Sequence, residues 1–435
     1  MPHATHMKST VKSLRDVINL YKRYKVIFDN IFFVGLIQVF GFIAPLITYP
    51  YLVKVLGMEL YGVVLTAQMV VSFATMIIDF GSNGVCAKDI AIHRGDKKKH
   101  SEILSAVLSM RLKLWLLCFG VYLLVVWWVP AYHDHFLLFA LSYFFTMNEL
   151  LFPQFYFQGV EKMKIVALLG ILIKLVFICL IFLVIKDKSH YLLVPVLYAV
   201  GYALAGGISL YIIFKKDGLT FYQTTLKQQF TYLKECFPIL STNLICIIKD
   251  KINYLLVGMN AGMGNVVIFD LGLKINSIIN QPVSIFNTVM LPRFARNRST
   301  RKLNRVLFLS TLICLAIVIV TNIFMEEITF FFLHREIDLI PLRLFTIMPL
   351  FFTPSVMISA NFYIGFGFNR YMLYSILFTT SIYLLLLVGV WITGYITSLY
   401  CFVFLSLFSY IAEFLFRLIT YIHLSKKLHE TKDPT

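Results

Sequence analysis

Nine ionisable side chains lie inside long apolar runs of this sequence. They are Asp79, Glu149, Lys174, Lys249, Asp250, Lys251, Asp270, Lys274 and Glu413. An ionisable group at bilayer depth costs about 2.5–3.5 kcal/mol on insertion scales, so each is expected to face a partner or a cavity. Nine such residues exceed what packing readily explains. The pattern indicates charge pairing or a polar path through a membrane, and for each residue both interpretations stay open.

Two pairings follow from the spacing of these residues. Asp270 and Lys274 are four positions apart, so on a helix they share a face and can pair with each other. Glu149 and Lys174 lie deep in consecutive apolar runs, and the two can pair if the runs form antiparallel neighbours. An internal Asp270–Lys274 pair without any role in binding is the alternative for that site.

The run 249–251 (KDK) places two lysines on different sides of one helix, because residues two apart point about 200° apart. Asp250 shares its face with Asn243, whereas Lys249 lies on the other side. We expect Asp250 and Lys251 at the edge of a cavity, and the sequence leaves open which side of the helix faces it.

Two polar stripes repeat along the chain. The first comprises Gln68, Ser72, Thr75 and Asp79, and the second Asp270, Lys274, Ser277 and Gln281. Each has the spacing i, i+4, i+7, i+11, which places its four side chains on one helical face. The offset between the stripes is 202 residues throughout. The match predicts a parallel repeat of two halves, with the substrate between them, as in many secondary transporters.

The composition indicates a membrane protein. Hydrophobic residues make up 59% of the 435 residues and charged residues only 14%, where a soluble domain carries about a quarter. The net charge of +17 lies mainly in short loops, so membrane topology explains it and no nucleic-acid partner is predicted. The seven cysteines have no metal or disulfide spacing. The N-terminus is polar and basic through Lys25, so no cleavable signal peptide is expected.

The fold class predicted is an all-α polytopic membrane protein with about twelve transmembrane helices in two pseudo-symmetric six-helix bundles. A helix needs roughly 20 apolar residues to cross the hydrocarbon, and these runs lack the alternation of barrel strands. The predicted spans are 30–53, 61–81, 103–129, 134–157, 165–185, 191–214, 237–258, 264–290, 306–325, 340–364, 371–393 and 397–422.

Lys and Arg residues set the orientation of these spans. Alternate loops, counted with the termini, hold 28 of them on one side, Arg417 among the tail residues, against five on the other. By the positive-inside rule both termini are cytoplasmic. The predicted organisation is a cytoplasmic N-terminal segment, two bundles joined by a cytoplasmic linker, and a cytoplasmic tail: 1–29, 30–214, 215–236, 237–422 and 423–435.

Motifs for catalysis are missing from the sequence. There is no G-x-x-x-x-G-K-[ST] phosphate loop, H-E-x-x-H metal motif or G-x-S-x-G nucleophile motif, so no catalytic, metal or cofactor site is predicted. Transport would draw on an ion gradient, the membrane potential or the substrate gradient. Whether H+ or Na+ is the coupling ion stays open.

Three segments carry a resemblance to a known family. They are 45–57 (PLITYPYLVKVLG), 79–91 (DFGSNGVCAKDIA) and 155–164 (FYFQGVEKMK). They resemble the helix-end motifs of polysaccharide-exporter flippases, although Lys88 stands where that family more often has Arg. The resemblance implies the Wzx-type O-antigen branch of the multidrug/oligosaccharidyl-lipid/polysaccharide superfamily.

The resemblance further implies a substrate, partners and a location. The substrate would be an undecaprenyl-diphosphate-linked oligosaccharide, moved across the bacterial cytoplasmic membrane beside membrane lipids and in company with the pathway's polymerase and chain-length regulator. The path would be lined by Lys251, Lys274, Asp270, Asp250, Lys249, Asn243, Gln68, Asp79, Glu149, Lys174, Ser277 and Gln281. A cation-coupled multidrug exporter, or less readily a membrane polymerase or ligase, is the alternative.

Overall fold

The computed structural model describes residues 14–297 and 299–430. Side chains are described except at 14–28, 30–31, 242, 245–250, 284–285, 287–289, 291–293, 295–297 and 429–430. Within these ranges the regular structure is helical and contains no strand.

Sixteen α-helices follow one another along the described chain. The first nine are α1 (Leu14–Asp79), α2 (Ser82–Ile92), α3 (Lys97–Trp128), α4 (Pro130–His133), α5 (Phe136–Ser142), α6 (Met147–Leu151), α7 (Gln154–Gly159), α8 (Met163–Val184) and α9 (Leu193–Tyr211). The others are α10 (Leu226–Leu256), α11 (Met263–Asn297), α12 (Thr300–Ile323), α13 (Met325–Leu333), α14 (Ile340–Met357), α15 (Asn369–Thr393) and α16 (Leu399–Glu430). Wider π-helical turns extend α9, α10 and α14.

Helix α1 reverses direction within its 66 residues. The rings of Tyr49 and Tyr61 lie 5.0 Å apart between centroids, whereas twelve residues of straight helix would separate them by about 18 Å. The reversal lies at Gly57, whose φ of 79° is open to glycine at little cost. The predicted spans 30–53 and 61–81 are therefore two antiparallel arms of α1.

Nine helical segments among the described residues are long and apolar enough to cross a membrane. One of them, Phe32–Ile92, contains both arms of α1. Helices α10 and α11, which hold the predicted spans 237–258 and 264–290, are outside these nine. The all-α polytopic class is thus confirmed, and the count of twelve spans stays a prediction.

Helix α1 lies at the centre of the packing. It contacts α3 and α8 on one side and α10, α11 and α13 on the other. Helices α14 and α16 pack together, and α14 also contacts α11 and α12. Residues of both predicted polar stripes have contacts at the seam between α1 and the pair α10–α11, while the division into bundles 30–214 and 237–422 stays a prediction.

A buried arginine joins four helices in the first half of the chain. The Arg111 side chain is 0% exposed, and its Nη2 donates to Asp79 Oδ1 at 2.6 Å. Its Nη1 donates to the Glu149 carbonyl at 2.6 Å, and the Glu149 carboxylate lies 4.0 Å away. Ser82 Oγ accepts further bonds from Nε and Nη2. The guanidinium thereby fixes α1, α2, α3 and α6 to one another.

A second buried arginine joins helices in the other half. Arg417 Nη2 lies 2.5 Å from Glu413 Oε1, one helical turn away on α16. Its Nε donates to Ser375 Oγ at 3.1 Å and its Nη1 to Ser355 Oγ at 3.1 Å. The assignment of Arg417 to the cytoplasmic tail is therefore wrong, because α16 continues without a break and places this residue among α14, α15 and α16.

The connection between α9 and α10 is held against α3. The backbone N–H groups of Thr220 and Tyr222 donate to the hydroxyls of Ser101 and Ser105, at 3.1 and 3.0 Å. At the start of α10, Thr225 forms a reciprocal capping box with Gln228. The predicted linker is thus a strap along α3 that fixes where α10 begins.

Replacing Arg111 should destabilise the fold far more than replacing a neighbouring basic residue. In Arg111→Gln, two carboxylates lose their buried cation, and breaking such a pair costs about 3–5 kcal/mol. Lys113→Gln is the matched control, since Lys113 is exposed and donates one bond, to Gln229. Thermal unfolding of the purified variants in detergent measures the difference. Equal unfolding temperatures for the two variants would contradict a stabilising role for the Arg111 network.

Candidate functional site

Lys251 lies at the seam between α1 and α10. Its Nζ donates to Ser72 Oγ at 2.5 Å, which joins the first polar stripe to the charged run of α10. Lys251 is partly exposed rather than buried. The contact places Lys251 between α1 and α10, and its position at the edge of an internal path stays a prediction.

Asp270 and Lys274 form the predicted i, i+4 ion pair on α11. The Lys274 Nζ also lies 4.9 Å from the ring centroid of Tyr49 on the first arm of α1, in cation–π geometry. Tyr49 itself donates to the carbonyl of Val267 at 2.7 Å. Tyr61 and Tyr254 lie near the Asp270 carboxylate. Lys274 therefore faces α1 across the seam, within an aromatic surround.

Further along the same seam two amides meet. Gln281 Nε2 donates to Gln38 Oε1 at 3.1 Å, so the second stripe contacts the first arm of α1. A cavity of about 200 Å³ lies between α1 and α11 and is lined in part by Gly41, Lys274 and Ser277. The lining is mainly apolar, and Lys274 and Ser277 are its polar side chains from α11.

Two predicted path residues lie away from this seam, and a third, Lys174, contacts the first arm of α1. Asp79 and Glu149 belong to the Arg111 network inside the first half. Lys174 donates from Nζ to the Ile37 carbonyl at 3.2 Å, beside the first arm of α1. The expected Glu149–Lys174 pair is wrong, because the nearer cation for Glu149 comes from α3, a helix that the comparison of consecutive runs left out.

For the remaining predicted residues the structure gives fewer contacts or none. Asn243 is exposed on α10, and Gln68 is partly buried on the second arm of α1. The side chains of Lys249 and Asp250 lie outside the described part of the structure. Asn253 shares the side of α10 on which Lys249 was predicted, and it bonds Ser406 and Tyr383 in the second half.

The two halves close against each other at the end of the molecule that contains Gly57. The Gly264 N–H donates to Glu59 Oε2 at 3.0 Å, and His334 Nε2 lies 3.2 Å from the Pro50 carbonyl. A Cβ added at Gly62 would lie 1.9 Å from the carbonyl oxygen of Met263. The contact therefore needs glycine at 62 and brings the two backbones together.

This arrangement suits binding rather than bond chemistry. Two lysine ammonium groups face one seam from α10 and α11, bonded or paired with Ser72 and Asp270. Hydroxyls and amides around them can bond a polar ligand. Across the described residues, no cluster of three or more His, Cys, Asp or Glu side chains is arranged to hold a metal ion.

Sequence reasoning missed the two arginines that organise the interior. Arg111 lies well inside the apolar run 103–129 and was not counted among the charges at membrane depth. For Arg417 a signal was present, because Glu413 stands four residues before it and was counted. The tyrosines around Asp270 carried no distinguishing pattern among the 24 of the chain.

Comparisons with known proteins agree with the resemblance in the motifs. The chain is 26% identical over 294 residues, 66% of its length and 70% of the relative's, to a protein of Escherichia coli (strain K12) named "Putative O-antigen transporter". It is 24% identical over 267 residues, 61% of its length and 67% of the relative's, to one of the same name from Shigella dysenteriae.

Solved structures share the fold at low sequence identity. One is described as "Lipid II flippase MurJ, inward closed conformation", with a TM-score of 0.69, 14% identity, and coverage of 90% of this chain and 87% of that one. Another is an inward-facing multidrug resistance MATE family transporter, with a TM-score of 0.67, 16% identity, and coverage of 88% and 96%. The family described as "Polysaccharide biosynthesis protein" matches residues 27–298, more than half of the sequence. The chain belongs to this polysaccharide biosynthesis protein family.

Proposed function

We propose that this membrane protein is a flippase for lipid-linked oligosaccharides. The cargo is an undecaprenyl-diphosphate-linked repeat unit of O-antigen or a related surface polysaccharide, moved across the cytoplasmic membrane by alternating access. The observation that carries the proposal is the placement of Lys251 and Lys274 on one seam between the α1 arms and α10–α11, in a chain of this family.

The charge of the cargo explains why lysines belong on this seam. A lipid diphosphate cannot enter hydrocarbon unaided, because an isolated anion loses its hydration at great cost. Lys251, bonded to the Ser72 hydroxyl, can offset part of that cost. Lys274 can do so once its bond with Asp270 is exchanged for one with the diphosphate. The amides of Gln38 and Gln281 offer hydrogen bonds to sugar hydroxyls.

Transport rather than catalysis is the activity that this site supports. Cavity groups for a cationic drug would be acidic, whereas the seam presents two lysines with Asp270 between aromatic rings, which favours an anionic cargo over a multidrug substrate. The proposed energy source is an H+ or Na+ gradient that acts on the buried carboxylates. The pathway's polymerase and chain-length regulator are proposed partners.

Deleting the gene should trap undecaprenyl-linked repeat units on the cytoplasmic face of the membrane, because the anionic headgroup cannot cross hydrocarbon unaided. Surface polysaccharide should fall, as measured by electrophoresis of extracted polysaccharide and by enzymatic access to the lipid-linked unit in right-side-out and inverted vesicles. Normal export in a clean deletion that lacks a redundant flippase would reject the proposal.

Lys251→Ala and Lys274→Ala should each lower export without preventing membrane insertion. A bond from a charged donor contributes about 1.5–3 kcal/mol, so a loss of about tenfold or more is expected. Lys98→Ala is the control, since Lys98 is exposed between α2 and the body of α3. Complementation of the deletion strain measures export, with immunoblotting for protein level. Full complementation by both variants would remove the basis for a cationic path.

The proposed orientation places the α2–α3 connection in the cytoplasm and the α8–α9 connection outside. In a variant without its seven cysteines, Lys98→Cys should react with a membrane-impermeant maleimide only in inverted vesicles. Lys188→Cys, also exposed, should react only in intact spheroplasts. The opposite labelling pattern would reverse the assignment of the termini. Labelling of both sites from one side would mean that an even number of spans separates them, and would contradict the odd number predicted.

A further inference from the structure

An apolar groove runs along the outside of the seam between the second arm of α1, α3 and α10. Its volume is about 550 Å³. The floor is formed by buried side chains of Val70, Ala74, Cys118 and Tyr122. Val125 and Met259 stand at the rim and are 44% and 46% exposed. A buried floor between exposed apolar rims makes this a concave surface open to the hydrocarbon, unlike the flat face of a lipid-exposed helix.

The groove is elongated, which suits an extended hydrocarbon chain better than a compact ligand. Along α3 it extends from Leu117 to Val129, which is about 18 Å at the rise of an α-helix. One leaflet of hydrocarbon is about 15 Å deep. The groove is therefore long enough to hold an extended hydrocarbon segment that crosses a whole leaflet.

The floor of the groove is fixed, and its polar atoms are turned away. The Tyr122 hydroxyl donates to the Phe139 carbonyl at 2.9 Å, behind the floor. The Tyr132 ring stacks on Phe139 with centroids 4.7 Å apart. The Tyr122 hydroxyl is bonded within the protein, so an apolar chain could enter the groove without the loss of that hydrogen bond.

The groove is continuous with the cationic seam. Lys251 and the groove residue Leu255 are one helical turn apart on α10. On α1, Ser72, which accepts from Lys251, directly precedes the groove residue Phe73. The Lys251 ammonium group therefore lies next to the groove, outside its apolar lining. This order of charges and apolar surface matches a diphosphate joined to a long hydrocarbon.

We propose that this α1–α3–α10 groove binds the polyprenyl chain of the cargo while Lys251 binds its diphosphate. The proposal rests on the flippase function proposed above. It adds a site for the lipid part of the cargo. The polyprenyl chain would stay in an apolar environment while the headgroup passes between the two halves of the protein. Phospholipid acyl chains are the competing occupant.

The test compares two adjacent positions of α3 in the full-length protein in nanodiscs of phosphatidylethanolamine and phosphatidylglycerol. Val125→Trp fills the groove, while Leu124→Trp adds the same ring at a site that is 70% exposed and outside the lining. Undecaprenyl diphosphate and inorganic diphosphate are the probes. Val125→Trp should weaken binding of undecaprenyl diphosphate about tenfold, the equivalent of two buried methylene groups, and leave diphosphate binding unchanged. Leu124→Trp should match the wild type, and Lys251→Ala should weaken both probes.

A photocrosslinking arm avoids reliance on the folding of a bulky variant. Benzoylphenylalanine at position 125 should form an adduct with undecaprenyl diphosphate, and the same residue at 124 should not. Equal adducts at both positions, wild-type binding by Val125→Trp, or an adduct with phospholipid that undecaprenyl diphosphate does not displace would each overturn the groove proposal. Those outcomes leave the flippase function standing. Failure of the wild-type protein to bind either probe would instead count against the proposed function.

Discussion

The cost of placing charge in a membrane determines where the ionisable side chains of this protein lie. Arg111 and Arg417 each occupy the interior of one part of the chain, surrounded by a carboxylate, hydroxyls and a carbonyl oxygen. With those acceptors present, each guanidinium ties together helices distant in sequence. Removing the Arg111 cation would take the buried positive charge away from the carboxylates of Asp79 and Glu149. The helices around each arginine are thereby bound to move together.

The buried arginines lie inside the helix clusters, whereas the lysines discussed above lie on the seam. A guanidinium has five donors in a fixed plane, and fixed acceptors around it leave little freedom for exchange. An ammonium on a flexible stem can change partners with little rearrangement of the backbone. Lys251 and Lys274 lie on the seam, where their present partners belong to α1 or to a neighbouring turn of α11. Rigid bodies held by arginine and an exchangeable surface carrying lysine are what alternating access requires.

Local patterns in the sequence predicted local contacts, and longer-range contacts escaped them. The Asp270–Lys274 pair was predicted because four residues of helix fix its geometry. The partners of Arg111 lie 32 and 38 residues away along the chain. They are on other helices, and hydrophobic periodicity does not determine how those helices are rotated about their axes. Glu149 was for that reason assigned to the wrong cation. The helical class and the seam residues of α11 were predictable, whereas the packing of α3 and α16 was not.

The closed end of the molecule is held by close backbone contact and by one carboxylate. Glu59 bonds the Gly264 N–H, and the tight approach at Gly62 brings α1 against the start of α11. A hydrogen bond to a charged group such as the Glu59 carboxylate contributes about 1.5–3 kcal/mol net. A ligand shifts such an equilibrium only by its difference in affinity for the two states. The exchange proposed for Lys274, from Asp270 to a diphosphate, would act on α11, the helix that also contacts α1 at the closed end.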